Sequence, residues 1–206
     1  MRVIAQKQTT TTSDIVTTSN GSAINVERAK VIGLQAVVDV NVPAAKTFVD
    51  GDVNTSTDRI TITGHAFVTT GLKVAATTTG VLPGGLSATD YWVIVVDANT
   101  IKLASSLANA QAGTNVDITS AAGGGTHTLT PASIAGATLT LQKSNNYNPD
   151  TAAGDWDAVE AATAITADGD IWIADVDPEY NWVRISYTLT AGKLSASTVL
   201  IVKEDV

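Results

Sequence analysis

The sequence predicts an all-β protein: a small antiparallel β-sandwich with a second small β-module, carrying one short helix, inserted in a hairpin. Three observations predict it. Thr and Val are abundant, and both are stiff at χ1 and suit a pleated surface. Short apolar-alternating runs recur between Gly, Asn, Asp and Pro, the punctuation of sandwiches and barrels. Helix signals are nearly absent, except in "SSLANAQAG", where Ser106 is placed to cap a short helix and Gly113 to stop it.

Taken in chain order, Asn20-Gly21 is a two-residue hairpin signal between "DIVTTS" and "SAINV". In "KVIGLQAVVDVNV", Ile32, Leu34, Ala36, Val38 and Val40 share one face at period two. The most apolar run, "ATDYWVIVVDANTIKLA" at 88–104, reads as two strands folded around Asp97-Ala98-Asn99-Thr100. Val95 and Ile101 then face each other across that turn, in the module's own core. Near the end Val183, Ile185, Tyr187 and Leu189 share a face, while Trp182, Arg184, Ser186, Thr188 and Thr190 point the other way. "TAGK" turns the chain into a last strand, roughly 194–202.

Texture separates two segments. Residues 46–131 have short strands and Gly-rich turns, and Pro131 punctuates their end. The flanks "LQAVVDVNV" and "GATLTLQKSNN" read as partner strands of one hairpin. Insertion at a hairpin tip is tolerated because an inserted domain's termini usually lie close together. The expected organisation is an N-terminal arm at 1–12, a sandwich of 13–45 plus 132–206, and an inserted module at 46–131.

Composition narrows the function. A chain of 206 residues can hold one large or two small domains. With 44% hydrophobic and 16% charged residues it is globular. A net charge of −8 and a pI near 4.5 oppose binding to a nucleic-acid backbone. No run approaches the ~20 apolar residues that span a bilayer, and "MRVIAQKQTTTTSD" lacks a signal peptide's apolar middle, so no membrane partner is expected. The absence of cysteine excludes disulfides and thiolate metal sites.

The candidate chemical sites are few. His65 in "ITGHAFV" and His127 in "GGGTHTLT" are the two histidines. Each reads as a turn or packing residue, because neither has a neighbouring ligand or carboxylate orienter in sequence. The acidic clusters are Asp50-Gly51-Asp52, Asp168-Gly169-Asp170 and the 175–179 loop. Turn chemistry accounts for them. Asp175, Asp177 and Glu179 form the weak calcium candidate, without EF-hand spacing. Asp155, Asp157 and Glu160 flank Trp156 in a wet loop, unlike a paired-carboxylate site. "GGG" at 123–125 lacks the strand-to-helix context of a phosphate loop, and no nucleophile elbow appears. No catalytic residue and no cofactor is expected.

The tryptophans are Trp92, Trp156, Trp172 and Trp182. Trp172 lies opposite the Ile171/Ile173 face and Trp182 opposite the Val183/Ile185 face. A sandwich strand has one inner face, so some of this apolar surface looks outward. Contact between subunits is the preferred use, with stacking on a glycan as the alternative.

One stretch resembles a known family. "RITITGHAFVTTGLKVAATTTGVLPGGLSATDYWVIVVDANTIKLASSLANAQAGTNVDITSAAGGGTHTL" is similar to a small β-module that recurs in virion structural proteins of tailed bacteriophages. The matching pattern runs from "ITI-GH-F-TG-KV" through "DYWVI" and "D-NTIKLA" to "G-GTHTL". The flanks, "TSNGSAINVE" with "LTLQKSNN…WDAV…WVRISYTLTAGKLSASTVLIV", look more loosely like the small β-sandwich of phage head and tail proteins. The extended loop "SNNYNPDTAAGDWDAV" departs from that pattern. The resemblance implies a non-enzymatic virion component, made in the host cytoplasm and packed into a symmetric homo-oligomeric assembly. Capsid decoration is the preferred position, and a neck, tail or baseplate adaptor the second. The implied partners are the major capsid protein or tail and neck proteins, with a host-surface glycan as the alternative. Trp172, Trp182 and the arm residues Arg2, Val3 and Ile4 are the interface candidates.

Overall fold

The structure is a computed structural model that describes residues 3–17, 19–27, 29–40, 42–67, 69–121, 123–176 and 179–205. The chain forms two compact units. One contains residues 1–41, 134–190 and 194–206, the other 42–133 and 191–193. The boundaries thus fall at 41/42 and 133/134, a few residues outside the 45/46 and 131/132 that texture predicts.

The strands are numbered along the chain. The first unit opens with β1 (Val3–Ile15), β2 (Ser19–Asn20), β3 (Ile24–Asn25) and β4 (Ala29–Asp39). The second unit holds β5 (Lys46–Phe48), β6 (Val53–Asn54), β7 (Arg59–Thr61), β8 (Lys73–Thr78), β9 (Asp90–Asp97), β10 (Thr100–Ala104), helix α1 (Leu107–Gln111) and β11 (His127–Pro131). The first unit resumes with β12 (Thr138–Ser144), β13 (Asp157–Ala158), β14 (Thr163–Ala164), β15 (Gly169–Val176), β16 (Trp182–Thr188) and β17 (Leu194–Asp205).

The first unit is an antiparallel sandwich. One sheet runs β1-β17-β4-β15; the other runs β13-β12-β16-β2, with β14 beside β12 and β3 beside β16. Alternation builds its core. Ile32, Leu34, Ala36 and Val38 of β4 and Ile173 of β15 meet Leu139 and Leu141 of β12 and Val183, Ile185 and Tyr187 of β16. Each fully buried Leu or Ile among them contributes about 1.5–3 kcal/mol. Burial pushes the Tyr187 phenol up to about 12, partly offset by a hydrogen bond with Thr198.

Three expectations change here. Residues 3–12, expected as an arm, lie in β1, which pairs with β17 from Val3↔Asp205 to Thr12↔Ala196. A Thr-rich strand with little to bury is still held by its main-chain ladder. The interface candidates Val3 and Ile4 therefore occupy ladder positions opposite Asp205 and Glu204, and Arg2 lies outside the described residues. Asn20-Gly21 makes no hairpin: β2 and β3 both pair with β16, and the Gly21 amide bonds the Ile185 carbonyl. A two-residue hairpin turn needs positive φ, and Gly21 is not among the residues that have it. Finally, β4 and β12 are not partners. They belong to the two facing sheets, so the second unit sits in an inter-sheet connection rather than a hairpin tip.

The second unit is one seven-stranded antiparallel sheet in the order β5-β11-β8-β9-β10-β7-β6. Its two edge strands are consecutive in the chain, joined through a 3₁₀ turn at Asp50–Asp52. Six flat strand spacings would hold the edges roughly 29 Å apart. The five steps from Phe48 to Val53 span at most about 18 Å. The sheet therefore curls towards a barrel around Phe48, Ile60, Phe67, Leu72, Val74, Val93, Ile101, Leu103 and Leu129. Ile101 is fully buried and pairs with half-buried Val95, as the turn at 97–100 predicts. Helix α1 also follows its signals, with Ser106 accepting from the Asn109 amide and Gly113 at φ 74°.

Candidate functional site

The outer face of the β1-β17-β4-β15 sheet carries the most exposed aromatic side chain among the described residues. Inward Ile171 and Ile173 force Trp172 of β15 outward, where it is 65% exposed. Its ladder partner is Gln35 on β4, which pairs in turn with Val199 on β17. In the next outward row Asp170 pairs with Val37, itself 48% exposed, and Val37 with Ser197. Asp39 lies two residues beyond Val37 on the same face, and both Asp39 and Asp170 are exposed. Trp172 and Val37 thus lie diagonally in adjacent rows, with Gln35 and Ser197 as polar neighbours and two carboxylates towards one end of the face. Neither carboxylate has an ion-pair partner among the described residues. Asp168 is spent differently, accepting from the Val40 amide at 2.7 Å.

The other tryptophans are engaged within the chain. Trp156 lies between Tyr147, at 5.2 Å, and the Arg184 guanidinium, 4.3 Å above its ring. Tyr147 also meets Trp182 edge-on at 5.1 Å, and Arg184 donates to the Gln142 side chain at 2.7 Å. This stack sits on the outer face of the β12–β16 pair and pins the long 145–156 loop there. Partial burial lowers the Arg184 pKa from its ordinary value. Trp92 lies beneath Lys73, which also pairs with Asp90 at 2.7 Å. Trp182, an interface candidate, is thus half-buried against Tyr147, whereas Trp172 is open.

Both histidines are bound on both ring nitrogens. His65 donates from Nε2 to the Asp97 carbonyl at 2.7 Å and accepts the Phe67 amide on Nδ1 at 2.9 Å. It thereby ties the 64–67 turn, with positive φ at Gly64 and Ala66, to the β9–β10 hairpin. An open depression of about 500 Å³ beside it is lined by Phe67, Val95 and Ala98. His127 does have a carboxylate orienter, contrary to the sequence reading. Its Nε2 donates to Asp50 at 2.9 Å, and its Nδ1 meets the Thr78 hydroxyl at 2.8 Å. The partner comes from 77 residues away, and reading Asp50-Gly51-Asp52 as turn chemistry did not connect it to His127. An Asp-His-Thr chain has the members of a nucleophile relay. Here the imidazole is fully buried and Thr78 Oγ1 also accepts the Gly80 amide, so the group works as a clasp. The His127 hydrogen bond, then the Gly124 amide, holds the Asp50 pKa below its ordinary value.

The glycine run 123–125 is explained by close approach of two backbones. A Cβ on Gly80 would lie 2.1 Å from the Gly124 oxygen, and one on Gly123 would lie 2.2 Å from the Val81 oxygen. Asp155, Asp157 and Glu160 are exposed, and Asp155 accepts from the Asn146 side chain. For the calcium candidate, Asp177 and the Asp175 side chain lie outside the described residues, and Glu179 is exposed. No group of three or more His, Asp or Glu side chains converges among the described residues. No helix among them is long and apolar enough to cross a membrane. No known protein family, curated protein or solved structure matches the chain.

Proposed function

We propose that the chain is a non-enzymatic structural component of a tailed-phage virion, working by protein–protein assembly. A capsid-surface decoration protein, present in symmetry-related copies, is the preferred position. A neck, tail or baseplate adaptor is the alternative. The observation that carries the assembly reading is the open Trp172 indole with exposed Val37 diagonal to it, since Trp is enriched where protein surfaces meet. The phage module pattern in residues 59–129 supplies the setting. The clasped histidines fit the same reading, because each ring is spent on the chain's own structure. Saccharide binding is less well supported: among the described residues Trp172 is the one open indole, whereas Trp92, Trp156 and Trp182 are half-buried.

The test is reconstitution. Particles of the encoding phage, produced without this chain, should take up added protein to a fixed copy number that matches a capsid or tail symmetry. Saturation at no defined number, or no uptake at all, would overturn the proposal.

A further inference from the structure

The open tryptophan sits in a chain that caps its other indoles itself. Arg184 covers Trp156, Lys73 covers Trp92, and Tyr147 meets Trp182. Among the described residues, Trp172 alone has no such neighbour. Beside it, Asp170 lies two residues away on the same strand face, and Asp39 lies beyond Val37. Both carboxylates are exposed and lack an ion-pair partner among the described residues. A cation resting on an indole face is attracted by the ring quadrupole. Nearby carboxylates add to that attraction and select against an anionic partner.

We propose that the Trp172–Val37 face docks a basic protein segment, with an arginine or lysine stacked on Trp172 beside Asp170 and a second basic side chain further along the segment meeting Asp39. This rests on the assembly reading and names the chemistry of its partner. A second copy of this chain is the disfavoured occupant. Each copy carries a net charge of −8, so a basic partner gains more from the carboxylates than a second copy does. An apolar side chain flanking the cation would then cover Val37. Arginine suits the position better than lysine, because its planar guanidinium stacks and is weakly hydrated.

The experiment uses the full chain, labelled with ¹⁵N, and follows the four indole N–H resonances. Trp172→Phe assigns the one of interest. The probes are acetyl-Val-Arg-Val-Arg-amide, its citrulline counterpart, which is the same shape without charge, and maltohexaose. The arginine peptide should shift the Trp172 resonance selectively, while the citrulline peptide should bind at least several-fold more weakly. Asp170→Asn and Asp39→Asn should each weaken the arginine peptide about two- to fivefold. Raising the salt should weaken it further. Equal shifts with both peptides, no shift at millimolar peptide, or a response to maltohexaose alone would overturn the proposal. Particle uptake separates the two claims. If the peptide fails but Trp172→Ala still abolishes uptake, the assembly face stands and its cationic partner falls.

Discussion

Excising residues 42–133 tests whether the sandwich is its own folding unit and whether the second unit lies between sheets. Every buried residue of the first core lies outside that segment, and every buried residue of the second lies within it. The excision therefore removes no core side chain from the sandwich. The cut must be bridged between β4 and β12, which belong to facing sheets. Packed sheets lie about 10 Å apart. A two-residue bridge makes three steps and spans at most about 11 Å, leaving nothing for the turn. The flanks lend little slack, because the Val40 amide is bound to Asp168 and the Ala135 carbonyl accepts the Thr190 amide. Gly-Ser bridges of two, four and six residues should therefore differ. The two-residue chain should be least stable, and the longer pair nearly equal, since lengthening a relaxed loop costs only about 0.6 kcal/mol per doubling. Circular dichroism and thermal unfolding report the outcome. Three unfolded chains would show that the sandwich needs the second unit. A two-residue bridge that is the most stable of the three would show that β4 and β12 pair as a hairpin.

Three further outcomes follow from the packing. Ile101→Ala, in the second core, should cost about 2–4 kcal/mol in denaturant unfolding, and Val95→Ala less because that side chain is half-buried; a loss below about 0.5 kcal/mol at Ile101 contradicts the strand phase. Asp50 has a depressed pKa, so the stability it contributes is present above its unfolded value near pH 4 and is lost as pH falls through its lower folded value. Asp50→Asn should therefore flatten the acid limb of the melting profile below about pH 4, and superimposable profiles would remove the clasp from the account. Gly80→Ala should destabilise by about 1–3 kcal/mol because its Cβ meets the Gly124 carbonyl, while Gly33→Ala, with nothing within 4 Å, should be close to neutral; equal effects would contradict the close approach.

Much of the fold was legible because period two exposes itself. Ile32 to Val38, and Val183 to Leu189, are buried as their alternation predicts. The 97–100 turn and the Ser106 cap are local signals with local consequences. What failed was pairing at a distance. β4 and β12 are both good strands, but the choice between hairpin and inter-sheet connection depends on β17 and β15, which arrive late in the chain and take both edges of β4. β1 was missed for a related reason: its Thr-rich sequence promises no burial, and the ladder that holds it belongs to β17. At the candidate site, the outward turn of Trp172 follows from its neighbours Ile171 and Ile173. The Tyr147–Trp156–Arg184 stack and the Asp50–His127 clasp did not, because each joins segments far apart in sequence.

The central claim is that this chain works as an assembled part of a particle through the Trp172 face. On the proposal that a tailed phage encodes the chain, a density map of that phage's intact virion at side-chain resolution tests it most directly. The account predicts this chain in symmetry-related copies, with the Trp172 indole covered by a neighbouring protein and a basic side chain of that neighbour lying against it. Virions that contain no copy of the chain, or copies whose Trp172 remains open to solvent, would contradict it.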